Sequence, residues 1–507
     1  MQRLTDLEYL KLSKFKKFFY KFRLFFSSFP KKFLGFFKRI GLFFKNLGLK
    51  IAGIFYNIFD TFVHGSWKSK VSYFIMGFGN ISRGQVVKGL LFTLFEAVFI
   101  FYMIFTGGYW LSKFDNLGDS AQIKVYNELY DTYETLPGDN SFKILLYGLL
   151  TILFIVAFIY TWYLNIKQCR LIDEIEAKGK KVKSNKEDLQ SIVDDNFHKT
   201  LLALPVTGVL VFTVIPIIFM ILVAFTNYDK NADGYSNLFT WIGLDNFNEL
   251  LDFSSSSGTL STAFGEILAW TLMWAIFATF TNYFLGMLVA IMINRKGIKL
   301  KKMWRTFLVM TIAIPQFISL LYVSKLFAKN GLVNAWLLDL HVIDTPIPFW
   351  DNAWLARVMV ILINIWIGIP YLMLIATGVL MNIPKDLYES SMIDGANTWQ
   401  QYTRITLPYM LFVTGPYLLT SFIGNINNFN VIYLLTGGGP NNPDLLTSGG
   451  SAGSTDLLIT WLFKITTIDA NYKLAAVIGI MIFIVVAVLS LIVYNIMPST
   501  KNEEDFS

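Results

Sequence analysis

The sequence predicts an all-α polytopic membrane protein with about eight transmembrane helices. Three observations carry that reading. The 507-residue chain is 54% hydrophobic and 17% aromatic but only 15% charged, with a mean hydropathy of +0.51; a soluble domain of that composition would expose large apolar patches. Apolar runs able to cross a hydrocarbon layer ~30 Å thick recur along it. Between them, basic and acidic segments alternate as the positive-inside bias requires.

The first block, residues 1–88, opens with 13 Lys/Arg against Asp6 and Glu8 inside Met1–Lys50, interleaved with 12 phenylalanines. No uncharged run there reaches the ~20 residues of a span. So many aromatics also argue against a permanently solvated tail. The block reads as an amphipathic cytoplasmic region lying in the membrane interface.

Eight spans follow, expected near Gly89–Phe105, Ile144–Ile166, Leu201–Phe225, Phe264–Ile293, Trp304–Phe327, Leu355–Leu380, Tyr409–Leu435 and Leu474–Ile496. The first two (residues 89–166) form an accessory pair joined by the acidic loop Tyr109–Phe142, which carries Asp115, Asp119, Glu128, Asp131, Glu134 and Asp139 against Lys113 and Lys124. A charged linker, 167–199, mixes eight basic with seven acidic residues and leads to a six-span core over 200–497. The loop Asn227–Ala263 contains the turn-rich Ser254–Gly258. The positive-inside bias places the N-terminus, the linker, Arg295–Lys302 and Pro384–Pro408 in the cytoplasm, and eight spans return the tail 498–507 to the same side.

Pro384–Pro408 is the most polar long segment of the second half. Pro384 suits a first helical position, and Gly395 suits the residue after a helix end, where φ is often positive. Tyr388 and Met392 share a face at i, i+4, and Lys385 and Glu389 can pair on another. Pro408 then opens the next apolar helix. A short amphipathic helix between two spans either lies on the membrane or docks onto a partner; pattern alone leaves both open.

Several chemistries are excluded. The nearest approach to a phosphate-binding loop, Gly79-Asn-Ile-Ser-Arg-Gly84, is followed by Gln85 and Val86, so it lacks the Lys and hydroxyl that would hold phosphate and Mg²⁺. No catalytic constellation is present, so the chain is not expected to be an enzyme. Cys169 alone cannot form an internal disulfide, and His64, His198 and His341 are scattered, so no metal or cofactor site is expected. The basic residues lie beside spans, which points to membrane orientation and not to nucleic acid. The centres of the last six spans hold almost no charge; Glu266, Lys325 and Arg357 lie near span ends. Ion-coupled transporters usually need central charged groups, which weighs against an ion-coupled sugar symporter and leaves it as the alternative from another transport class.

The seventh span instead carries uncharged polar side chains. Ser421, Asn425 and Asn428 fall at i, i+4, i+7 and so share a helical face. Membrane amides need partners, which leaves two readings: interhelical hydrogen bonds, or a site for a hydroxyl-rich neutral ligand, since amides donate and accept. The sixth span adds Trp366, Gly368, Pro370 and Tyr371, aromatic rings beside a helix-weakening Gly-x-Pro.

Glu389-Ser-Ser-Met-Ile-Asp-Gly395, followed after nine residues by Ile405-Thr-Leu-Pro408, resembles the EAA loop of ABC-importer membrane subunits, with serines in place of both alanines. Gly368-Ile-Pro-Tyr371, Asn427-Asn-Phe429, Tyr433-Leu-Leu-Thr-Gly-Gly-Gly-Pro440 and Thr455-Asp-Leu-Leu458 are similar to the F-type (MalF-type) subunit of maltose/maltodextrin importers. The resemblance spans roughly Leu201 to Met497. It implies a type I ABC importer permease fold in the cell membrane, a second (MalG-type) permease subunit, a separate ATPase dimer that holds ATP and Mg²⁺, and an extracellular sugar-binding lipoprotein. It places the sugar at Gly368, Tyr371, Ser421, Asn425 and Asn428. ATPase coupling falls on Tyr388, Glu389, Met392, Asp394, Gly395 and Pro408. Raffinose-type sugars, galacto-oligosaccharides and cyclic glucans remain alternatives to maltodextrin. Gly424 stands where the family can carry an aromatic, which leaves sugar length open. The short Asn227–Ala263 loop suits a lipid-tethered receptor and a Gram-positive source.

Overall fold

The computed structural model describes residues 41–42, 44–252, 260–295, 297–447 and 450–496. Most of the basic Phe-rich stretch, the Ser254–Gly258 turn and the tail 498–507 lie outside the described residues. Among the described residues, seven helices are long and apolar enough to cross a membrane, or eight if one bent pair is counted as a span. We number them span 1 (Val86–Ser112), span 2 (Ser141–Ala177), span 3 (Phe197–Val223), span 4 (Leu260–Asn294), span 5 (Lys301–Ala313 with Gln316–Leu326), span 6 (Ala353–Met381), span 7 (Thr398–Thr436) and span 8 (Tyr472–Tyr494).

The chain divides into two compact units. The first holds residues 1–112 and 147–208. Its described N-terminal part is a helix over 44–64 that exposes Phe44, Phe55 and Phe59. Spans 1 and 2 pack through aromatic rings, with Phe99 and Phe158 stacked at 3.9 Å between centroids, and through Tyr102 bonded to Thr151 at 2.8 Å. Around their ends lies a buried polar knot. Asn165 accepts from the Gly77 amide at 3.0 Å and donates to the Ser72 carbonyl at 2.9 Å. The Arg83 side chain is buried between Asp173 and Glu176. The glycine spacing at Gly79 is thereby explained: a Cβ there would press on Cys169 and Ser72. Packing, not phosphate, requires it.

The second unit holds residues 113–146 and 209–507. The acidic loop thus belongs with the core and not with the accessory pair. It forms an antiparallel hairpin of β1 (Ile123–Asn127) and β2 (Thr132–Leu136), with Ile123 opposite Leu136 and Tyr126 opposite Tyr133. Spans 4 and 6 are the spine of the unit. Ala278, Asn282, Gly286 and Ala290 recur every fourth residue on span 4 and are all buried; the small Ala278, Gly286 and Ala290 let helix backbones approach where lipid gives no hydrophobic drive. Gly286 meets Leu372 of span 6 so closely that a Cβ would strike its Cβ and backbone. Trp270, Trp274, Val360, Ile363, Val431 and Ile432 close one end of this core, and Tyr283, Met287, Met373 and Met410 the other.

Two expected spans differ in form. Trp304–Phe327 is not one helix: it bends by 90° at Ile314, which is extended (φ −81°, ψ 124°) ahead of Pro315. The proline ring excludes helical geometry from the residue before it. The helix expected from Tyr409 starts at Thr398, where Asn397 and Gln400 form a reciprocal capping box, and Pro408 lies inside it behind a π-helical turn, Tyr402–Thr406. After span 7, β3 (Asn441–Thr447) and β4 (Gly450–Gly453) form a second hairpin, locked by the buried Asp456, which accepts from Gly453 N at 2.7 Å, Thr460 Oγ1 at 2.9 Å and Lys464 Nζ at 2.6 Å.

Candidate functional site

The polar side chains expected on span 7 meet span 4. Asn425 donates through Nδ2 to Thr279 Oγ1 at 2.9 Å, and its carbonyl accepts from Trp274 Nε1 at 3.0 Å. Thr279 is fully buried, so the bond fixes the Asn425 amide. The regular helix ends at Ile426, and Asn428 caps the next one, Phe429–Thr436, accepting from Val431 N at 3.3 Å. The single helical face expected for Ser421, Asn425 and Asn428 is therefore broken before its third member. The turn still returns Asn428 to the cluster, with its Nδ2 donating to Asn425 Oδ1 at 3.4 Å. All three side chains stay half-buried.

Span 6 brings the aromatics. Tyr371 is half-exposed and faces Tyr417 of span 7 at 6.3 Å between ring centroids; Tyr417 stands one helical turn before Ser421. Trp366 is exposed. Gly368 has a different part from the others. It has no side chain to offer, and a Cβ there would collide with the Asn282 amide of span 4. Gly368 thus acts by close approach.

Sequence reasoning missed Thr279, Asn282, Asn364 and Tyr417. Asn282 Nδ2 reaches the Asn364 carbonyl at 3.4 Å, yet Asn282 Oδ1 and Asn364 Nδ2, both buried, have no partner. Unpaired amides in a bilayer cost several kcal/mol, on the order of 1–3 by protein mutagenesis. Asn282 shares the four-residue repeat of Ala278, Gly286 and Ala290 on span 4, but its partner lies on span 6, so only the packing brings it into the cluster. No Asp, Glu, Lys or Arg is among these residues, so the cluster is polar without charge.

The second candidate surface is the helix Lys385–Ile393 between spans 6 and 7. Pro384 stands just before it as the cap, and Gly395 has φ +77° just past its end. Tyr388 turns inward, its hydroxyl 2.8 Å from Thr406 Oγ1, while Gln401 Nε2 holds Ser391 Oγ at 2.9 Å. Met392, expected on the same face as Tyr388, is exposed instead, together with Glu389, Asp394, Ile393 and Trp399. Lys385 and Glu389, expected to pair on another face, are both exposed. Pro408 is exposed within span 7. The helix is thus clamped on one side and bare on the other.

Comparison with known proteins finds relatives along most of this chain. Residues 282–501 match the family described as binding-protein-dependent transport system inner membrane component. The chain is 32% identical over 440 residues to the maltodextrin transport system permease protein MalC of Streptococcus pneumoniae, covering 84% of this chain and 95% of that protein. It is 33% identical to the maltodextrin permease MdxF (85% and 95% covered) and 31% identical to the galactooligosaccharides permease GanP (85% and 97% covered), both of Bacillus subtilis. Among solved structures, a bacterial ABC transporter that imports alginate aligns over 61% of this chain and 97% of that one, at 24% identity and a TM-score of 0.49. With near-complete coverage of relatives above 30% identity, the chain belongs to the binding-protein-dependent transport system inner membrane component family, the permease subunits of ABC importers.

Proposed function

We propose that this permease forms half of the translocation pore for a neutral oligosaccharide, a maltodextrin, in the cell membrane of a Gram-positive bacterium, with both termini in the cytoplasm. The observation that carries the substrate class is the uncharged cluster of Ser421, Asn425 and Asn428 beside Tyr371 and Tyr417. Amides serve hydroxyls as donors and acceptors, and aromatic faces suit the C–H faces of sugar rings. Gly368 supports the site by letting span 6 approach Asn282. A galacto-oligosaccharide is the second reading, favoured by the similarity to GanP.

The bare face of Lys385–Ile393 is the dock for a separate ATPase dimer, which carries ATP and Mg²⁺. Glu389, Met392 and Asp394 meet the ATPase, Tyr388 and Pro408 tie the helix to span 7, and Gly395 gives the turn between them. A second permease completes the pore, and an extracellular sugar-binding lipoprotein delivers the ligand. ATP closing the dimer moves the docked helix and rocks the spans between inward- and outward-facing states. This requires ATP to favour the closed dimer by differential affinity, since a ligand shifts populations in no other way. The test is ATPase activity of the reconstituted complex with its binding protein and a panel of neutral oligosaccharides. Stimulation by maltodextrins is expected; stimulation by none of the panel would overturn the substrate class.

A further inference from the structure

We infer that the β1–β2 hairpin is the docking surface for the importer's extracellular sugar-binding protein, an inference resting on the binding-protein-dependent reading above. The hairpin leaves both faces open. Tyr126 and Tyr133, paired edge-to-face at 5.3 Å, lie on one face, and Ile123 opposite Leu136 on the other. At the turn, Leu129 is 83% exposed and Tyr130 68%. A two-stranded hairpin alone is marginal in water, and a cluster of exposed aromatic and aliphatic side chains on a soluble loop marks an interaction site.

Its root is firm. Asp139 at the hairpin base accepts from Lys113 Nζ at 2.6 Å and from the Asp119 amide at 3.0 Å. Gln122 N donates to the Tyr235 carbonyl at 3.2 Å, and Trp241 Nε1 to the Phe114 carbonyl at 2.9 Å. The ribbon is thus fixed to the loop that leads into span 4. A partner bound to it would sit over the core that holds the proposed sugar site.

Charge selects the partner. With Lys113 held by Asp139, the ribbon itself keeps Glu128, Asp131 and Glu134 against Lys124. A second copy would bring the same acidic face, and an anionic membrane surface would repel it. A protein offering an apolar recess with a Lys/Arg rim fits. Tyrosines with a polar rim are also the composition of interface hot spots.

The test uses the complete importer in lipid nanodiscs and its sugar-binding protein as a soluble domain loaded with maltotriose, reading ATPase rate against binding-protein concentration. The double variant Leu129→Ser/Tyr133→Ser is expected to raise the half-saturating concentration about tenfold, as loss of an aromatic anchor does. The basal rate and the rate at saturation stay unchanged. Glu128→Lys, on the exposed turn where it has nothing to unfold, is expected to raise half-saturation too and to flatten its dependence on salt. Unchanged half-saturation in both variants, with normal stimulation of the wild type, would overturn the inference. A changed oligomeric mass with unchanged half-saturation would assign the hairpin to a second copy and overturn it equally. No stimulation of the wild type would instead defeat the binding-protein-dependent reading itself.

Discussion

Replacing Gly368 with alanine tests whether span 6 must touch Asn282 for sugar to bind. The added Cβ falls on the Asn282 amide, which is almost fully buried and donates to the Asn364 carbonyl. Either the amide swings away, losing a bond worth about 1 kcal/mol, or the helices part, at about 1–3 kcal/mol for overpacking. Against this, Gly→Ala inside a helix gains about 1 kcal/mol. Gly378 on the same span supplies the reference, because a Cβ there meets nothing within 4 Å. The propensity gain cancels between the two variants, leaving the collision, about 1–3 kcal/mol. Thermal unfolding of the purified permease in detergent should place Gly378→Ala above wild type and Gly368→Ala below Gly378→Ala. In reconstituted uptake, half-saturation by binding-protein-delivered maltotriose should rise about tenfold for Gly368→Ala, equivalent to about 1.4 kcal/mol. Equal stabilities with unchanged uptake would refute the close-approach role.

Other perturbations read other parts of the chain. Gly395→Val puts a β-branched residue at φ +77° at a cost of about 1–2 kcal/mol; since a Cβ there meets nothing within 4 Å, the effect is on the backbone. The variant should insert normally yet hydrolyse ATP without uptake, and coupled uptake at the wild-type rate would dismiss the turn assignment. Burial alone would push the Asp139 carboxyl pKa up, but Lys113 and the Asp119 and Ser120 amides outweigh it and hold it at about 2. A lowered folded-state pKa gives stability present above the unfolded value, near 4, and lost as pH falls through about 2. Asp139→Asn should therefore weaken the loop by about 2 kcal/mol at pH 7, measured as faster amide exchange over residues 118–140, with the difference from wild type shrinking as pH falls from 4 to 2. Lys464→Met should leave the buried Asp456 carboxylate without its cation, at about 3–5 kcal/mol, whereas Lys464→Met with Asp456→Leu should recover part of the loss; unfolding midpoints decide between them.

Much of the architecture was legible because long apolar runs and loop charge depend only on composition. The helix Lys385–Ile393 was legible because Pro384 fixes φ at its start and Gly395 permits a positive φ just past its end. What was not legible depends on partners. Asn282 lies in the run Phe280-Thr-Asn-Tyr-Phe284, which reads as lipid-facing until span 6 is placed beside it, and nothing local to span 7 announces that Thr279 will hold Asn425. The bend of span 5 was written in Ile314-Pro315, but hydropathy averages across it. Asn397 and Gln400 likewise mark the start of span 7 at Thr398, eleven residues before the apolar run becomes evident at Tyr409. Tyr388 and Met392 share a face by spacing, yet the clamp from Thr406 pulls only Tyr388 inward; helical periodicity cannot tell which of two stacked residues a neighbour will take.

The hydrogen bonds around Asn425 also bear on why a neutral ligand suits the proposed site. Each primary amide has two N–H donors and two acceptor lone pairs. Asn425 commits one donor to Thr279 and one lone pair to Asn428. Asn428 commits one donor to Asn425 and one lone pair to Val431 N. Each amide is therefore oriented by the protein and keeps one donor and one acceptor uncommitted. A carboxylate ligand could use only the donors, leaving two lone pairs desolvated with no compensating cation nearby. A hydroxyl both donates and accepts, so a vicinal diol answers the whole set. Because the amides are already held, their ordering cost is met before the ligand arrives, and the pairing favours sugars over sugar acids without any charged residue in the site.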